Sequence, residues 1–368
     1  MKNPFKFGSV VDGPFFTNRT NEIDKVKSVL ESSNHLVVIS PRRYGKTSLV
    51  LKVVKKLKRP TIFLDLQMVT SQTDFASQLL KRIYSAFPYQ KIKNLLKHFR
   101  IAPTISLNPL TNEIDVSYNA QIQKNQQTAL EDVLNLIEKI GNSKVRPIVI
   151  FDEFQEITRM GHNLDRVLRS IMQHHQNINY IFLGSQESII REIFEKKKSP
   201  FYHFGYVLSL GKIPLTDFHK FLHDNFKSQT KNSDSIADAI LDITKAHPYY
   251  TQQIAFTIWE ILNKNQTSKD VVGNALNELV QTHDVDYERL WNTLNQTDKK
   301  ILIGMCFSDL SPLSNDFSNK YQAGASSTIF SSLKKMTLSG FVLKTKDGYE
   351  IDDPFFKKWL WNKRLQIN

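Results

Sequence analysis

Residues 40 to 48, with the sequence SPRRYGKTS, place a glycine, a lysine and a hydroxyl side by side. Gly45 can adopt backbone angles that turn peptide N–H groups toward an anion. Lys46 adds a cation and Thr47 offers a hydroxyl to a metal ion, as in the Walker A pattern G-x-x-x-x-G-K-S/T. The pattern predicts that nine residues bind nucleotide phosphates: Ser40, Pro41, Arg42, Arg43, Tyr44, Gly45, Lys46, Thr47 and Ser48.

One position departs from this pattern, because Ser40 stands where its first glycine is expected. Serine has less backbone freedom than glycine, so we expect some change in the loop. A chance G-K-T in a basic stretch is the alternative, and the assignment therefore depends on a second, matching site.

Two adjacent carboxylates supply that second site. Residues 147–151, PIVIF, have the composition of a buried strand, and Asp152 and Glu153 follow directly. Asp152 is predicted to hold Mg²⁺ through a water molecule, next to Thr47, and Glu153 to orient or deprotonate the attacking water. Helix capping by the carboxylates is the alternative, but their position at the tip of a core strand favours the metal site.

Another polar pair follows the next strand, YIFLG at residues 180–184. Either Ser185 or Gln186 is placed to hydrogen-bond the γ-phosphate or the attacking water, and a plain N-cap role for Ser185 is the alternative. The predicted catalytic residues are therefore Lys46, Glu153, Ser185 and Gln186.

Short runs with strand composition recur through the first 214 residues, mostly with helical patterns between them. They lie at residues 35–40, 61–66, 147–151, 180–183 and 206–210. This alternation predicts an α/β fold of the P-loop nucleoside-triphosphatase type, an αβα core with a parallel sheet. A β-hairpin near residues 103–118 is expected as an insertion.

The pattern changes after Pro214. Residues 215–285 have helical periodicity without a convincing strand, which predicts a helical lid. Residues 286–368 follow the order helix, loop, helix and two strands around a turn at Asp347-Gly348, as in a winged helix. We therefore expect a core at residues 1–214 followed by these two domains.

The composition favours a soluble cytoplasmic protein. The 368 residues are 40% hydrophobic, and no apolar run approaches the roughly 20 residues that span a bilayer. The first residues lack the apolar core of a secretory signal. Cys306 is the single cysteine, lies in an apolar run, and is expected to be a buried small residue.

The basic excess is concentrated at the start of the chain. Residues 1–100 carry 19 Lys and Arg against 6 Asp and Glu, residues 101–285 carry 18 against 21, and residues 286–368 carry 12 against 9. Such an excess attracts polyanions, which include both nucleotides and nucleic acids. Part of it lies at the end of a predicted helix, where a solvated basic face is the alternative.

His219 and His223 have the i, i+4 spacing of a helical metal pair, and Asp217 and Asp224 are nearby. No third ligand is evident, so we expect a solvated helix face.

Seven segments in order resemble the archaeal-type ATPase family, which is related to the STAND and AAA+ ATPases. They are FFTNRTNEI, SPRRYGKTSL, IFDEFQEI, FLGSQES, SPFYHFG, KAHPYYTQQIA and DPFFKKWL. The resemblance implies a P-loop core, a helical lid, a winged helix and ATP as the nucleotide. It also implies that Phe16 and Arg19 lie beside the base and ribose, and that His247 and Pro248 approach the same site; a helix-breaking turn is the alternative for the latter pair.

The segment SPFYHFG departs from the family, where many members have an arginine in place of Phe204. That arginine is thought to approach the γ-phosphate, so hydrolysis is expected to be slow or to use an arginine from elsewhere. Candidates are Arg166, Arg169 and Arg191.

The leading hypothesis is an ATP-hydrolysing switch in which nucleotide state controls a winged helix that docks a protein partner. ATP-regulated DNA binding and a nucleotide-binding scaffold with little turnover are the alternatives. The predicted recognition helix holds only Lys334 and Lys335 as cations, and the C-terminal segment has a net charge of +3, which favours a protein over DNA. The sequence leaves the oligomeric state open.

Overall fold

The computed structural model describes residues 2–107, 114–118, 126–264 and 270–365. The chain divides into two compact units. The core unit is Arg19–Gly211, and the C-terminal unit combines Met1–Asn18 with Lys212–Asn368. No helix of the described residues has the length and hydropathy needed to cross a membrane.

The core unit alternates strands with helices along the chain. Its elements are α1 Thr20–Glu31, β1 Leu36–Ile39, α2 Lys46–Leu57, β2 Thr61–Asp65, α3 Gln72–Ala86, α4 Tyr89–Leu96, β3 Thr104–Leu107, β4 Ile114–Ser117, α5 Gln126–Ile140, β5 Ile148–Asp152, α6 Leu164–Met172, β6 Asn179–Gly184, α7 Glu187–Glu195 and β7 Tyr206–Ser209. Short 3₁₀ helices occupy Leu66–Met68 and Phe154–Arg159.

Five strands form one parallel sheet in the order β2-β5-β6-β1-β7. The parallel sheet expected from the sequence is confirmed. Strands β1, β5 and β6 are buried along their whole length, as strands covered on both faces should be. Because all five run the same way, the residues that follow β1, β5 and β6 meet at one edge, here called the carboxyl edge.

Helix packing fixes this edge. The buried side of α2 includes Leu49, Val50 and Val53, so the helix is held by its apolar face while its first residues follow the tip of β1. Phe151, Phe154 and Phe182 pack together beneath the tips of β5 and β6, with ring centroids 4.5 Å apart for the last two. A close-packed base of this kind keeps the polar residues above it in position.

Strands β3 and β4 form a separate antiparallel pair, with Thr104 opposite Ser117. The residues of β3 are exposed, and this hairpin lies outside the parallel sheet.

The C-terminal unit is mainly helical. Its elements are α8 Leu215–Phe226, α9 Ser233–Thr244, α10 Pro248–Asn263, α11 Val271–Thr282, α12 Asp284–Thr293, α13 Gln296–Phe307, α14 Asn315–Tyr321, α15 Ser326–Leu338, β8 Val342–Thr345, β9 Gly348–Ile351 and α16 Pro354–Leu365. A 3₁₀ helix lies at Gly13–Phe15.

The first residues of the chain belong to this unit, which differs from the expected core at residues 1–214. Phe5 is 2% exposed, and its ring lies 4.9 Å from that of Phe226 and 6.1 Å from that of Trp259. The Asn3 side chain donates to Phe256 O at 3.2 Å. Burial of one aromatic side chain therefore fastens the N-terminal segment to helices α8 and α10.

The winged-helix order predicted from the sequence is present, with two differences. Helix α14 lies in the segment predicted as a loop, and Ser314 caps it by accepting from the Phe317 N–H at 3.2 Å. The turn between β8 and β9 is formed by residues 346–347, with Gly348 already paired in β9.

Candidate functional site

The loop after β1 turns sharply into helix α2. Gly45 has φ 86° and Arg43 has φ 65°, both in the left-handed region, whereas Ser40 is not among the residues with positive φ. Ser40 is fully buried, and its N–H donates to Gly184 O at 3.3 Å. The first position of this loop therefore has a backbone that serine adopts without strain, and the glycine is needed at 45.

The side chains of Lys46 and Thr47 meet the two carboxylates that follow β5. Thr47 Oγ1 donates to Asp152 Oδ2 at 2.8 Å, and Lys46 Nζ lies 3.2 Å from Glu153 Oε1. These residues are separated by more than 100 positions in sequence. The parallel register brings them together, since both strand tips lie at the carboxyl edge.

Glu153 is held from three sides. Besides Lys46, Ser185 Oγ donates to Glu153 Oε2 at 2.6 Å and Gln155 Nε2 donates to the same oxygen at 2.5 Å. The backbone at Glu153 is left-handed, with φ 51° and ψ 47°, an uncommon conformation for a residue with a side chain. Strain of this kind concentrates at functional sites and orients the carboxylate here.

Gln155 was not predicted from the sequence, although it is 3% exposed and contacts Glu153 directly. The sequence feature that could have identified Gln155 is its place as a polar residue between two apolar residues, Phe154 and Ile157, which are both buried. Gly184 is also constrained, because a Cβ there would lie 2.1 Å from Ile190 and 3.0 Å from Gln155 Oε1.

The pKa values of the two carboxylates are shifted in opposite directions. Burial raises the pKa of Asp152, although the charge of Lys46 and the Thr47 hydrogen bond act against it. Burial would also raise the pKa of Glu153, but Lys46 together with the Ser185 and Gln155 hydrogen bonds outweighs it and lowers the pKa. The cluster therefore favours the ionised form of Glu153, whereas burial disfavours the ionised form of Asp152.

The donor atoms at this edge suit a hard cation. A hydroxyl and a carboxylate oxygen, from Thr47 and Asp152, are the ligands that Mg²⁺ prefers. Among the described residues, no group of three or more His, Cys, Asp and Glu side chains could hold a metal ion. Mg²⁺ usually keeps several waters and binds through one or two carboxylates and substrate phosphates, so Thr47 and Asp152 would be sufficient protein ligands for it.

The remaining predicted residues of the core unit lie around this cluster. Ser185 donates to Glu153 and does not cap a helix, whereas Gln186 occupies the N-cap of α7 without a side-chain cap bond. Tyr44 and Ser48 are buried, Arg42 and Arg43 are exposed, and Pro41 is half-buried. Arg19 Nη2 donates to Tyr44 O at 3.1 Å.

Phe16, His247 and Pro248 belong to the C-terminal unit. Phe16 follows the first 3₁₀ helix, and His247 caps α10 by accepting from the Tyr249 N–H at 3.2 Å, with Pro248 as the first helical residue. Their approach to a nucleotide stays a prediction.

Phe204 lies at the edge of the sheet opposite to the phosphate loop. It precedes β7, whose first residue Tyr206 aligns with Leu36 at the start of β1. Its ring packs 4.6 Å from that of His35, and the Arg169 guanidinium lies 4.4 Å above it. Residue 204 therefore lies at the opposite end of the sheet from the cluster around Glu153.

The three candidate arginines have different surroundings. Arg169 Nε donates to Pro200 O at 3.0 Å, close to Phe204. Arg191 Nη2 donates to Ser209 Oγ at 2.9 Å, at the carboxyl end of β7. Arg166 is exposed in the first turn of α6. Arg191 is thus hydrogen-bonded at the carboxyl edge.

His219 and His223 face α9, where Asp238 lies 3.2 Å from the first imidazole and Asp234 2.9 Å from the second. Both imidazoles are about one-third exposed, so this helix face is partly solvated and lies against carboxylates of α9.

A phosphate loop between a strand and a helix, opposite a carboxylate-tipped parallel strand, defines the fold of P-loop nucleotide-binding proteins. Residues 16–254 match the family described as the ATPase domain predominantly from Archaea, and the chain belongs to that family. It is therefore an ATP-binding protein of the ATPase class. Residues 285–362 match a probable winged helix domain.

Relatives agree with this assignment. An uncharacterized ATP-binding protein of Pyrococcus abyssi (strain GE5 / Orsay) is 27% identical over 150 residues, which span 39% of this chain and 43% of that protein. The match thus covers less than half of the relative.

Solved structures show the same fold at low identity. A Walker-type ATPase of Pyrococcus abyssi has a TM-score of 0.65 and 16% identity, covering 94% of this chain and 96% of that one. The Aeropyrum pernix ORC2 protein, solved as ADPNP-ADP complexes, has a TM-score of 0.55 and 14% identity, covering 98% and 99%. The Aeropyrum pernix ORC1 protein in complex with DNA has a TM-score of 0.50 and 10% identity, covering 96% and 94%.

Proposed function

We propose that the chain is a Mg²⁺-dependent ATPase of the AAA+/STAND-like class that works as a conformational switch. The observation that carries this proposal is the meeting of Lys46 and Thr47 with Glu153 and Asp152 at the carboxyl edge. A cation, a metal-binding hydroxyl, a metal-binding carboxylate and an ionised base are the groups that phosphoryl transfer to water requires.

In this proposal each side chain has one role. Lys46 exchanges its contact with Glu153 for the β- and γ-phosphate oxygens. Thr47 and Asp152 would hold Mg²⁺, which would supply positive charge next to the phosphates. Glu153, released on one side, accepts a hydrogen bond from the attacking water and orients it. Ser185 and Gln155 keep the carboxylate aimed at that water.

The switch follows from differential affinity. ATP and ADP can drive a rearrangement only as far as each prefers one conformation of the protein. Lys46 cannot pair fully with Glu153 and with a phosphate group at the same time. The conformation in which Lys46 pairs with phosphate is therefore favoured only when nucleotide is bound. Nucleotide state would thereby control the winged-helix segment and its partner.

The test is turnover of MgATP by the purified chain, with and without duplex DNA. We expect measurable hydrolysis that Lys46→Ala abolishes and that Lys56→Ala, in the exposed last turn of the same helix, leaves unchanged. Nucleotide binding without turnover would support the scaffold alternative. Absence of nucleotide binding in the presence of Mg²⁺ would refute the proposal.

The surface of helix α15 favours a protein as the partner. Phe330 and Leu338 are 49% and 46% exposed on this helix. Of its two cations, Lys335 is bound to the buried carboxylate of Asp298, which leaves Lys334 on the exposed face. Apolar and aromatic side chains with few cations are typical of protein contacts and unlike a phosphate-binding surface.

DNA is the second candidate partner, favoured by the basic N-terminal hundred residues and by the fold shared with the ORC1 protein solved with DNA. Binding to labelled duplex DNA between about 50 and 200 mM salt distinguishes the two, because phosphate contacts weaken steeply over that range. We expect negligible affinity even at the lowest salt. Tight binding there with a steep salt dependence would favour DNA.

A further inference from the structure

The guanidinium of Arg19 joins three separate parts of the core unit. Arg19 is 5% exposed, and its Nη2 donates to Tyr44 O at 3.1 Å and to Gly211 O at 2.8 Å. Nη1 donates to Glu22 Oε1 at 3.1 Å. Both hydrogens of one nitrogen are therefore used on two backbone carbonyls that lie far apart in sequence.

This arrangement is costly to the fold. Burial lowers the pKa of Arg19, although its hydrogen bond with Glu22 acts in the opposite direction. The backbone is left-handed at Arg19, with φ 69°, and also at the preceding Asn18, with φ 43°. Consecutive left-handed residues with side chains are retained only where surrounding contacts impose them. Here they direct the side chain at the phosphate loop.

The contact with Tyr44 has a consequence for the next peptide group. In a trans peptide the C=O and the following N–H point to opposite sides, and no cis peptide occurs in the described residues. Because Arg19 binds Tyr44 O, the N–H of Gly45 points away from Arg19. That N–H belongs to the loop that the proposed function assigns to the phosphates.

The contact with Gly211 lies where the chain leaves the core unit. Leu210 N–H donates to Ile39 O at 2.8 Å, so this segment runs beside the last residue of β1. Gly211 is the last residue of the core unit and Arg19 is its first. One side chain therefore ties both chain ends of this unit to the phosphate loop.

We propose that Arg19 is a positioning residue, which orients the Tyr44–Gly45 peptide toward the phosphates and couples it to Gly211. This inference rests on the proposed function. It differs from the contact with base and ribose that the family resemblance implies for Arg19, because it acts through the loop and is indifferent to the base. Lysine cannot replace arginine in this role, since it lacks the planar fork that reaches two carbonyls in fixed directions.

The test uses Arg19→Lys beside a matched control, Arg59→Lys. Arg59 also binds backbone carbonyls, with Nε donating to Arg146 O at 2.7 Å and Nη1 to Leu30 O at 2.6 Å. It lies just before β2, at the end of the sheet opposite to the carboxyl edge. The affinities for MgATP and for magnesium tripolyphosphate, which has neither base nor ribose, are measured by competition against a fluorescent ADP. Turnover at saturating ATP is measured in parallel.

We expect Arg19→Lys to weaken both ligands by about tenfold, the effect of losing one hydrogen bond to a charged group. Turnover at saturation should change less than about threefold, because a contact that holds the phosphates equally in the ground state and the transition state affects binding and not the chemical step. Arg59→Lys should leave both affinities unchanged. Arg19→Gln is the second variant: it places no charge in this buried position, and it is too short to bridge both carbonyls. It should lose the same affinity.

Three results would overturn the role of Arg19. They are unchanged affinity in both Arg19 variants, a loss confined to MgATP, which would indicate a base or ribose contact, and an equal loss in Arg59→Lys, which would indicate general loosening of the unit. Failure of the wild-type chain to bind MgATP would instead refute the proposed function.

Discussion

The ammonium nitrogen of Lys46 lies 3.2 Å from Glu153 Oε1, with the two side chains 8% and 15% exposed. The cation proposed for the phosphates is therefore engaged by the carboxylate proposed as the base. Binding of a nucleotide must exchange one anionic partner of Lys46 for another. The nucleotide and Glu153 consequently compete for Lys46.

Glu153→Gln should bind ATP at least as tightly as the wild type, because a neutral amide competes less for Lys46. Turnover should fall by at least about 10²-fold, since the general base is lost. Calorimetry and a phosphate-release assay measure the two effects. Glu156→Gln is the control, because Glu156 pairs with Arg159 at 2.9 Å on the same 3₁₀ helix. Wild-type turnover in Glu153→Gln would disprove the assigned role.

Ser185→Ala should reduce turnover by about tenfold, because it removes a hydrogen bond of 2.6 Å to a charged carboxylate. Loss of this donor also raises the pKa of Glu153, which the intact cluster keeps low. The acid limb of the pH–rate profile should therefore move to higher pH. Ser170→Ala, an exposed hydroxyl on α6, is the control. A profile that does not move would separate Ser185 from the ionisation of Glu153.

Asp152→Asn should stabilise the nucleotide-free protein. The folded-state pKa of Asp152 is raised by burial, so ionisation costs stability as pH rises through that pKa, and the amide removes this cost. A gain of about 1 kcal/mol would raise the unfolding midpoint by about 2–4 °C. The gain should vanish below about pH 3, where Asp152 is protonated in both the folded and the unfolded state.

Thermal unfolding across this pH range measures the effect of Asp152→Asn. Asp65→Asn is the control, because Asp65 aligns with Asp152 in the sheet but is exposed. A lower midpoint at neutral pH would show that Lys46 and Thr47 outweigh burial, contrary to the raised pKa.

Lys335→Met should destabilise the winged-helix segment. The carboxylate of Asp298 is fully buried and is bound by Lys335 and Ser332, so removal of the cation leaves a buried charge without its ion pair. Because Lys335 is 52% exposed, we expect about 1–2 kcal/mol, between the values for exposed and buried pairs. Chemical denaturation measures the loss. Lys334→Met should be neutral, and equal effects of both changes would contradict this account.

The main elements of the core could be predicted because each has a local signal. The runs at β1, β5 and β6 are continuous and apolar, as buried parallel strands require, and polar residues stand directly after them. Strand direction alone then places Lys46 near Asp152. The distances, the left-handed backbone of Glu153 and the hydrogen bond from Gln155 depend on packing, which no local pattern contains.

Other features depend on contacts between distant residues. The residue type at position 204 is evident from the sequence, whereas its place in the sheet follows from the register of β7 against β1. The N-terminal residues have no periodicity of their own, and Phe5 is placed by rings in helices α8 and α10. Helix α14 has only seven residues, too few for a helical period to stand out.

The attachment of the N-terminal segment also affects how this protein is made. Asn3 finds its partner Phe256 only 253 residues later, so a ribosome releases the whole core unit before Phe5 has a place to be buried. During synthesis the N-terminal segment with Phe5 therefore remains exposed to solvent, where chaperones and other nascent chains can bind it. Loss of the segment that contains Phe5 would disturb the C-terminal unit, whose helices bury this ring, and would leave the contacts within the core unit in place.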